Sequence, residues 1–263
     1  MIKYLGSKRT LLPDIEQAIQ GLGEARSVID LFSGTSRVGH HLKKCGYQVF
    51  SNDINTYAFQ IATCYVVSDK EDHKDIPDLI AHMNSIEGKE GYFTETFCKK
   101  SQFFQPKNGA KVDAIRTWIE EQEFGVEKKA ILLIALMEAA DRVDSTCGIQ
   151  MAYLKKWATR SYNDLQLRMP DIVPRSPFGK GSATLMDARE AAKKLLGKDE
   201  SAMSTILNGT NMLSTVIRRD EFYRNLLRNS NDIKVARAAK INELMKQGMS
   251  AEEASAKAPI QTF

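Results

Sequence analysis

Ser27-Val28-Ile29-Asp30-Leu31-Phe32-Ser33-Gly34-Thr35-Ser36-Arg37-Val38-Gly39 decides the fold. A short apolar, β-branched run stops at an acid and a glycine, and Arg37 to Lys44 then carries a helical pattern. The pattern of Val28, Ile29, Leu31 and Phe32 predicts a strand buried on both faces, and Gly34 removes the Cβ where the chain must turn sharply into the helix. Backbone N–H groups at such a helix start favour a polar or anionic ligand group.

Outward from this turn, Tyr47-Gln48-Val49-Phe50-Ser51-Asn52-Asp53 is a second alternating run that ends in an acid. Asp53 falls where the ribose of an adenosine expects its hydroxyl acceptor, so the two runs make a βαβ unit with a nucleoside-shaped cleft. The loop reads Gly-x-Ser-x-x-Gly, and Ser36 breaks the strict dinucleotide fingerprint. A nucleoside cofactor without a diphosphate fits better than a dinucleotide. On these residues alone, an ordinary strand-to-helix turn with a surface acid remains open.

With 263 residues, 43% of them hydrophobic, the chain is long enough for one large domain or one domain with an appendage. Cys45, Cys64, Cys98 and Cys147 lie far apart, and the only neighbouring histidines, His40 and His41, point to different sides of a helix. No metal site or disulfide framework is expected. The N-terminus lacks an apolar signal core, and the longest apolar run, Ala130 to Met137, is too short to span a bilayer. A cytoplasmic location without membrane contact is the expectation. The net charge of +4 favours a polyanionic partner only weakly.

Lys3-Tyr4-Leu5-Gly6-Ser7-Lys8-Arg9 places cations and an aromatic on a flexible step, before Pro13 and Asp14 open an amphipathic helix through Ile15, Ala18 and Ile19. Such a loop suits closure over a ligand, and equally suits a frayed terminus.

Lys3-Tyr4-Leu5-Gly6-Ser7-Lys8, Asp30-Leu31-Phe32-Ser33-Gly34 and Asp53, in this order, resemble the opening motifs of the S-adenosylmethionine-dependent DNA adenine-N6 methylases of the D12 class. Tyr4 stands where that family has a tryptophan, and Ser7 and Ser36 stand for glycines. The resemblance implies an α/β, Rossmann-like methyltransferase sheet that binds S-adenosyl-L-methionine. It implies that Tyr4 and Lys8 contact the cofactor, that Asp30, Phe32 and Gly34 belong to its pocket, and that Asp53 holds the ribose.

Ala58 to Pro174 reads as a largely helical insertion whose core is carried by Ala130 to Arg142. Two basic and aromatic stretches flank that helix. Tyr92 to Trp118 holds Phe93, Phe97, Lys99, Lys100, Phe103, Phe104, Lys107, Lys111 and Arg116, and Tyr153 to Arg175 holds Lys155, Lys156, Trp157, Arg160, Tyr162 and Arg168. With Asn108, Gln150 and Asn163 they offer what phosphate contacts and base-edge reading require. Solvated helix faces over core aromatics would give the same composition. The expected division is a cofactor-binding core in residues 1–57 and 181–196, a helical insertion in 58–180 that recognises double-stranded DNA, and a helical tail in 197–263.

Ser182 to Asp187 reads as a third strand ending in an acid, with Ala188 to Leu196 as the next helix. In the family pattern Asp187 accepts from the adenine amine of the cofactor, while a solvent-exposed N-cap is its local alternative. The family's catalytic Asp-Pro-Pro-Tyr has no counterpart, since no Pro-Pro pair occurs in the sequence. Ser176-Pro177-Phe178 comes nearest, but it follows no apolar strand and precedes Asp187. No catalytic residue is therefore assigned. The sheet is expected to be incomplete, with the strand of Val28 to Phe32 as an open edge. The expected function is a site-specific DNA adenine-N6 methyltransferase whose catalytic loop comes from a second polypeptide. The alternative is an inactive methylase relative that binds cofactor, DNA or both.

Overall fold

A computed structural model describes residues 8–21, 23, 25–146 and 152–196. All of them fall in the first of two units, Met1–Ile206, and the second unit, Leu207–Phe263, which holds most of the expected helical tail, lies outside the described residues.

A short 3-10 turn (Lys8–Leu11) leads into α1 (Leu12–Gln20), which starts with Pro13 in its first turn and fully buries none of its residues. The chain then enters β1 (Ser27–Asp30), crosses through α2 (Arg37–Lys44) and returns as β2 (Gln48–Asp53). α3 (Thr56–Ala62) continues into a π turn (Thr63–Val67), followed by α4 (Ile76–Ser85) and the short α5 (Tyr92–Thr94), which runs into a second π turn (Glu95–Lys99). The long helices α6 (Pro106–Glu121) and α7 (Val126–Arg142) come next, and β3 (Ser182–Leu185) and α8 (Ala188–Leu196) close the described chain.

The described sheet has three parallel strands in the order β1-β2-β3. Ser27 pairs with Gln48 and Asp30 with Ser51, while Phe50 pairs with Ser182 and Asp53 with Leu185. This register brings the carboxyl ends of all three strands to one rim. Gly39 lets α2 approach the sheet closely, since a Cβ there would lie 3.0 Å from Val66 and 3.2 Å from the Ser51 hydroxyl.

Two apolar clusters hold the described residues together. The larger one is helical, with Ile61, Ile76, Met83, Ile115, Ile119, Ile131, Leu132 and Ile134 buried and Leu165, Leu167 and Ile172 laid across them. Each such side chain contributes about 1.5–3 kcal/mol on leaving water. The smaller cluster, Leu42, Val49 and Val66, sits between α2 and the sheet, with Ile19, Val28, Val38 and Tyr47 partly buried around it.

Three expectations change. β1 is half-buried at every residue rather than buried on both faces, and Phe32 is 63% exposed, because β2 is β1's only strand neighbour among the described residues. The expected insertion is helical only as far as Arg142. Beyond it, the described residues up to β3 carry little regular secondary structure, apart from a 3-10 turn at Thr159–Tyr162. Asparagine side chains supply that segment's backbone partners: Leu167 donates to Asn84 Oδ1 at 2.8 Å and its carbonyl accepts from Nδ2, while Leu165 donates to Asn108 Oδ1 at 2.9 Å.

The third correction concerns the first basic and aromatic stretch. Phe104 is buried, and Phe93, Phe97, Phe103 and Trp118 pack against the larger core, so these rings are core rather than nucleic-acid contacts. Asn108 is 2% exposed, and it donates to the carbonyls of Ser161 and Asn163, which removes it from base reading. Lys99 pairs with Glu90, Lys107 with Asp164 and Arg116 with Glu120, while Lys111 donates to the Asn84 carbonyl.

Candidate functional site

At the carboxyl ends of β1 and β2 lies a cavity of about 250 Å³ lined by Asp30, Phe32, Ser33, Gly34, Thr35, Arg37, Val38, Asp53, Asn55 and Tyr57. Parallel strands ending at an acid and a glycine turn produce this opening, because the turn carries the chain away from the sheet before α2 begins. Gly34 adopts φ +49°, and open space surrounds the position a Cβ would take. The pocket therefore reaches the backbone itself.

Asp53 holds the turn in place. Its Oδ2 accepts the Gly34 N–H at 2.8 Å, and Oδ1 accepts the N–H of Asn55 at 2.9 Å and its side-chain amide at 3.2 Å. Three of the roughly four acceptor positions of a carboxylate are thus used within the protein. Ser33, 6% exposed on the pocket wall, has a buried hydroxyl without a hydrogen-bond partner. A polar ligand group in the pocket would satisfy it.

Asn52 is a residue that reading by motif missed. It is 1% exposed, donates to the carbonyls of Leu31 and Met186 at 3.2 and 3.1 Å, and accepts from the Thr184 hydroxyl at 2.8 Å. One side chain therefore ties the ends of all three strands at the rim. The signal lay in the run Ser51-Asn52-Asp53, three polar residues in a row at the end of a strand, all of them buried. Arg37, Asn55 and Tyr57 were also missed, for they line the pocket from the turns beyond the two motifs.

Of the residues expected to bind cofactor, Asp30, Phe32, Gly34 and Asp53 come together on this one pocket. Asp187 is not among its lining residues: it is exposed and precedes α8, where its carbonyl accepts from Ala191 at 2.9 Å. It still belongs to the same rim, because the preceding Met186 N–H donates to the Asp53 carbonyl at 3.2 Å. Lys8 begins the 3-10 turn before α1, with its side chain outside the described residues, as is the whole of Tyr4.

Ser176-Pro177-Phe178 lies at the opposite end of the sheet. The Ser176 hydroxyl donates to the carbonyl of Gly46 ahead of β2, and the Phe178 ring sits 5.6 Å from the guanidinium of Arg26 ahead of β1. Its geometry removes it as a stand-in for the catalytic loop. Of the second basic stretch, Tyr153, Lys155, Lys156, Tyr162 and Arg168 are exposed, whereas Arg160 is bound to Asp144 at 2.6 Å and Gln150 lies outside the described residues.

A small parallel α/β sheet with a pocket at its strand ends is compatible with a methyltransferase fold. The description of the D12 class N6 adenine-specific DNA methyltransferases matches residues 4–174, and the chain belongs to that family. Among curated proteins it is similar to the modification methylase StsI of Streptococcus sanguinis, at 28% identity over 74% of this chain and 32% of the relative. It is 30% identical to the type II methyltransferase M.NlaIII of Neisseria lactamica over 63% of this chain and 53% of the relative. The type II methyltransferase M.FokI of Planomicrobium okeanokoites matches at 29% identity, over 65% of this chain and 29% of the relative. The chain thus spans about a third to a half of these relatives. No solved structure matches it. No helix among the described residues is long and apolar enough to cross a membrane.

Proposed function

We propose that this chain is the cofactor-binding and DNA-binding part of a site-specific DNA adenine-N6 methyltransferase that uses S-adenosyl-L-methionine. The observation that carries the proposal is the convergence of Asp30, Phe32, Gly34 and Asp53 on one pocket. Two carboxylates and one guanidinium, Arg37, suit a ligand that carries both cationic and carboxylate groups, and they disfavour a polyphosphate. Phe32, Ile54, Tyr57 and Leu185 are all at least 40% exposed near the same strand ends, and an apolar rim of this kind suits the faces of an adenine ring.

Asp53 would bind the ribose hydroxyls through its remaining acceptor capacity while keeping Gly34 in its turn. Arg37 would take the carboxylate, and Asp30 the ammonium end. S-adenosylmethionine, when bound, supplies the activated methyl group. Adenine methylation also needs an acceptor for the target amine and a ring stacked on the flipped base. With no Asp-Pro-Pro-Tyr in the sequence, these groups would come from a second polypeptide. Residues 1–57 and 181–196 would form the cofactor half and 58–180 the DNA-recognition part. Lys155, Lys156, Tyr162 and Arg168 offer the exposed cations and ring that phosphate contacts use, and no membrane enters this reading.

Calorimetric titration of S-adenosylmethionine into the full chain tests the cofactor reading. Asp53→Asn retains an oxygen for the Gly34 N–H but removes the charge and one ribose acceptor and turns an NH2 towards the Asn55 donors, so binding should weaken by roughly tenfold or more, with an unchanged circular dichroism spectrum as the check that the chain is folded. No binding to the folded chain, or equal binding by Asp53→Asn, would remove it. Methyl transfer to duplex DNA that appears only after addition of a polypeptide carrying the catalytic loop supports the divided enzyme. The second reading, an inactive relative that binds cofactor or DNA, is favoured if cofactor binds and no such addition yields transfer.

A further inference from the structure

Away from the pocket, α1 and α2 bring three metal-ligating side chains together. Glu16 lies on α1, and His41 and Cys45 lie one turn apart at the end of α2. The His41 Nε2 is 2.8 Å from the Glu16 Oε2 and 3.7 Å from the Cys45 Sγ, and the three ligand atoms all lie within 4.8 Å of one another. None of the three lines the cavity beside Asp53.

We propose that Glu16, His41 and Cys45 form a binding site for a divalent transition-metal ion of the zinc class. Zinc–sulfur bonds of about 2.3 Å and zinc–nitrogen or zinc–oxygen bonds of about 2.0 Å, at tetrahedral angles, place ligand atoms about 3.3 to 3.6 Å apart. The His41–Cys45 separation matches that edge. The His41–Glu16 contact needs to open by roughly half an ångström, which a rotation of the glutamate provides. A mixed thiolate, imidazole and carboxylate set favours zinc over magnesium or calcium, which take oxygen ligands. Water completes the fourth position because Cys45 is exposed.

The ion gives α1 an anchor. That helix fully buries no residue, and its Gln20 side chain donates to the other oxygen of Glu16 at 3.1 Å, which already orients the carboxylate towards α2. Upon binding, the Cys45 thiol releases its proton to solvent and the imidazole binds through Nε2. The role is that of a clip between two helices, and it takes no part in methyl transfer.

The experiment is a titration of cobalt(II) into the full chain, first freed of metal by a chelator and kept reduced. One equivalent should be taken up with a thiolate-to-cobalt charge-transfer band and the visible bands of a four-coordinate ion, and zinc should displace it. Cys45→Ser should abolish the charge-transfer band, Cys147→Ser should retain it, and His41→Ala or Glu16→Gln should weaken uptake by at least roughly tenfold. Zinc should also raise the melting temperature of the wild-type chain and leave that of Cys45→Ser unchanged. Absence of a thiolate band at saturating cobalt, or a band that survives Cys45→Ser, overturns the proposal and leaves a surface ion pair.

Discussion

Ser36 shows how much one residue of the turn decides. It replaces a family glycine, and its backbone adopts φ 51°, a left-handed conformation that costs a non-glycine residue roughly 1–2 kcal/mol. Its hydroxyl is also buried without a partner. Ser36→Gly removes both defects and adds back roughly 0.5–1 kcal/mol of unfolded-state entropy. A net gain of about 1 kcal/mol is expected, read as a melting temperature about 3 °C higher. An unchanged or lower value would mean that the hydroxyl makes a contact worth keeping. That the turn needed a small residue was legible in Gly34-x-Ser36. The left-handed backbone at Ser36 was not, since serine rarely adopts it.

At the scale of elements, side chains that cap and pin backbone explain more than helix propensity does. Asp113 of α6 accepts from the N–H groups of Gly91, Phe93 and Thr94 and from the Thr94 hydroxyl at 2.7 to 2.9 Å, and so fixes the start of α5. Burial would raise this carboxyl, but the Thr94, Phe93 and Gly91 donors outweigh it and hold it below the usual carboxylate range. In the unfolded chain it returns to about 3.9. A depressed folded value means that the contribution is complete above the unfolded value and is lost as pH falls through the folded one. Asp113→Ala should therefore cost about 2 kcal/mol in urea unfolding at neutral pH, and the gap from wild type should narrow as pH falls through the folded value. A gap that stays constant with pH would assign the loss to packing. The same logic explains how the segment after Arg142 is held without regular secondary structure. Its partners are Asn84 and Asn108, too distant in sequence for any periodicity to show.

Across the whole molecule, a buried charge network ties the sheet to the segment before β3. The Lys43 ammonium on α2, 4% exposed, donates to Asp69 at 2.7 Å and to the Ser68 carbonyl, while Arg175 reaches Asp69 at 2.6 Å and Asp72 at 2.7 Å. Burial would raise the Asp69 carboxyl, but Lys43 and Arg175 hold it below the usual range. Lys43→Met leaves that carboxylate buried with half of its compensation and should cost about 3 kcal/mol in equilibrium unfolding. A loss well below 1 kcal/mol would mean that Arg175 alone satisfies Asp69. Duplex DNA binding belongs to the same scale. Lys155→Ala with Lys156→Ala should weaken a gel shift evenly across sequences and lower its log–log salt slope by about two. An unchanged slope would place the phosphate contacts elsewhere.

By itself, the sequence determined what depends on neighbours in the chain. The strand, turn and helix from Ser27 to Lys44, the strand ending at Asp53, and the third strand with α8 were all readable because period and punctuation are local properties. Gly34 and Asp53 were legible as one site because a βαβ unit brings the ends of successive strands to a common rim. Tertiary structure alone decided which polar residues are used up. It buried Asn108 and Phe104, packed Phe93, Phe97 and Phe103 against the larger core, set Ser176 at the far end of the sheet, placed Asn52 between three strands and carried Glu16 to His41 and Cys45. Composition cannot separate a solvated cation from a paired one or a core ring from an exposed one. That distinction arises only when distant segments meet and exclude water.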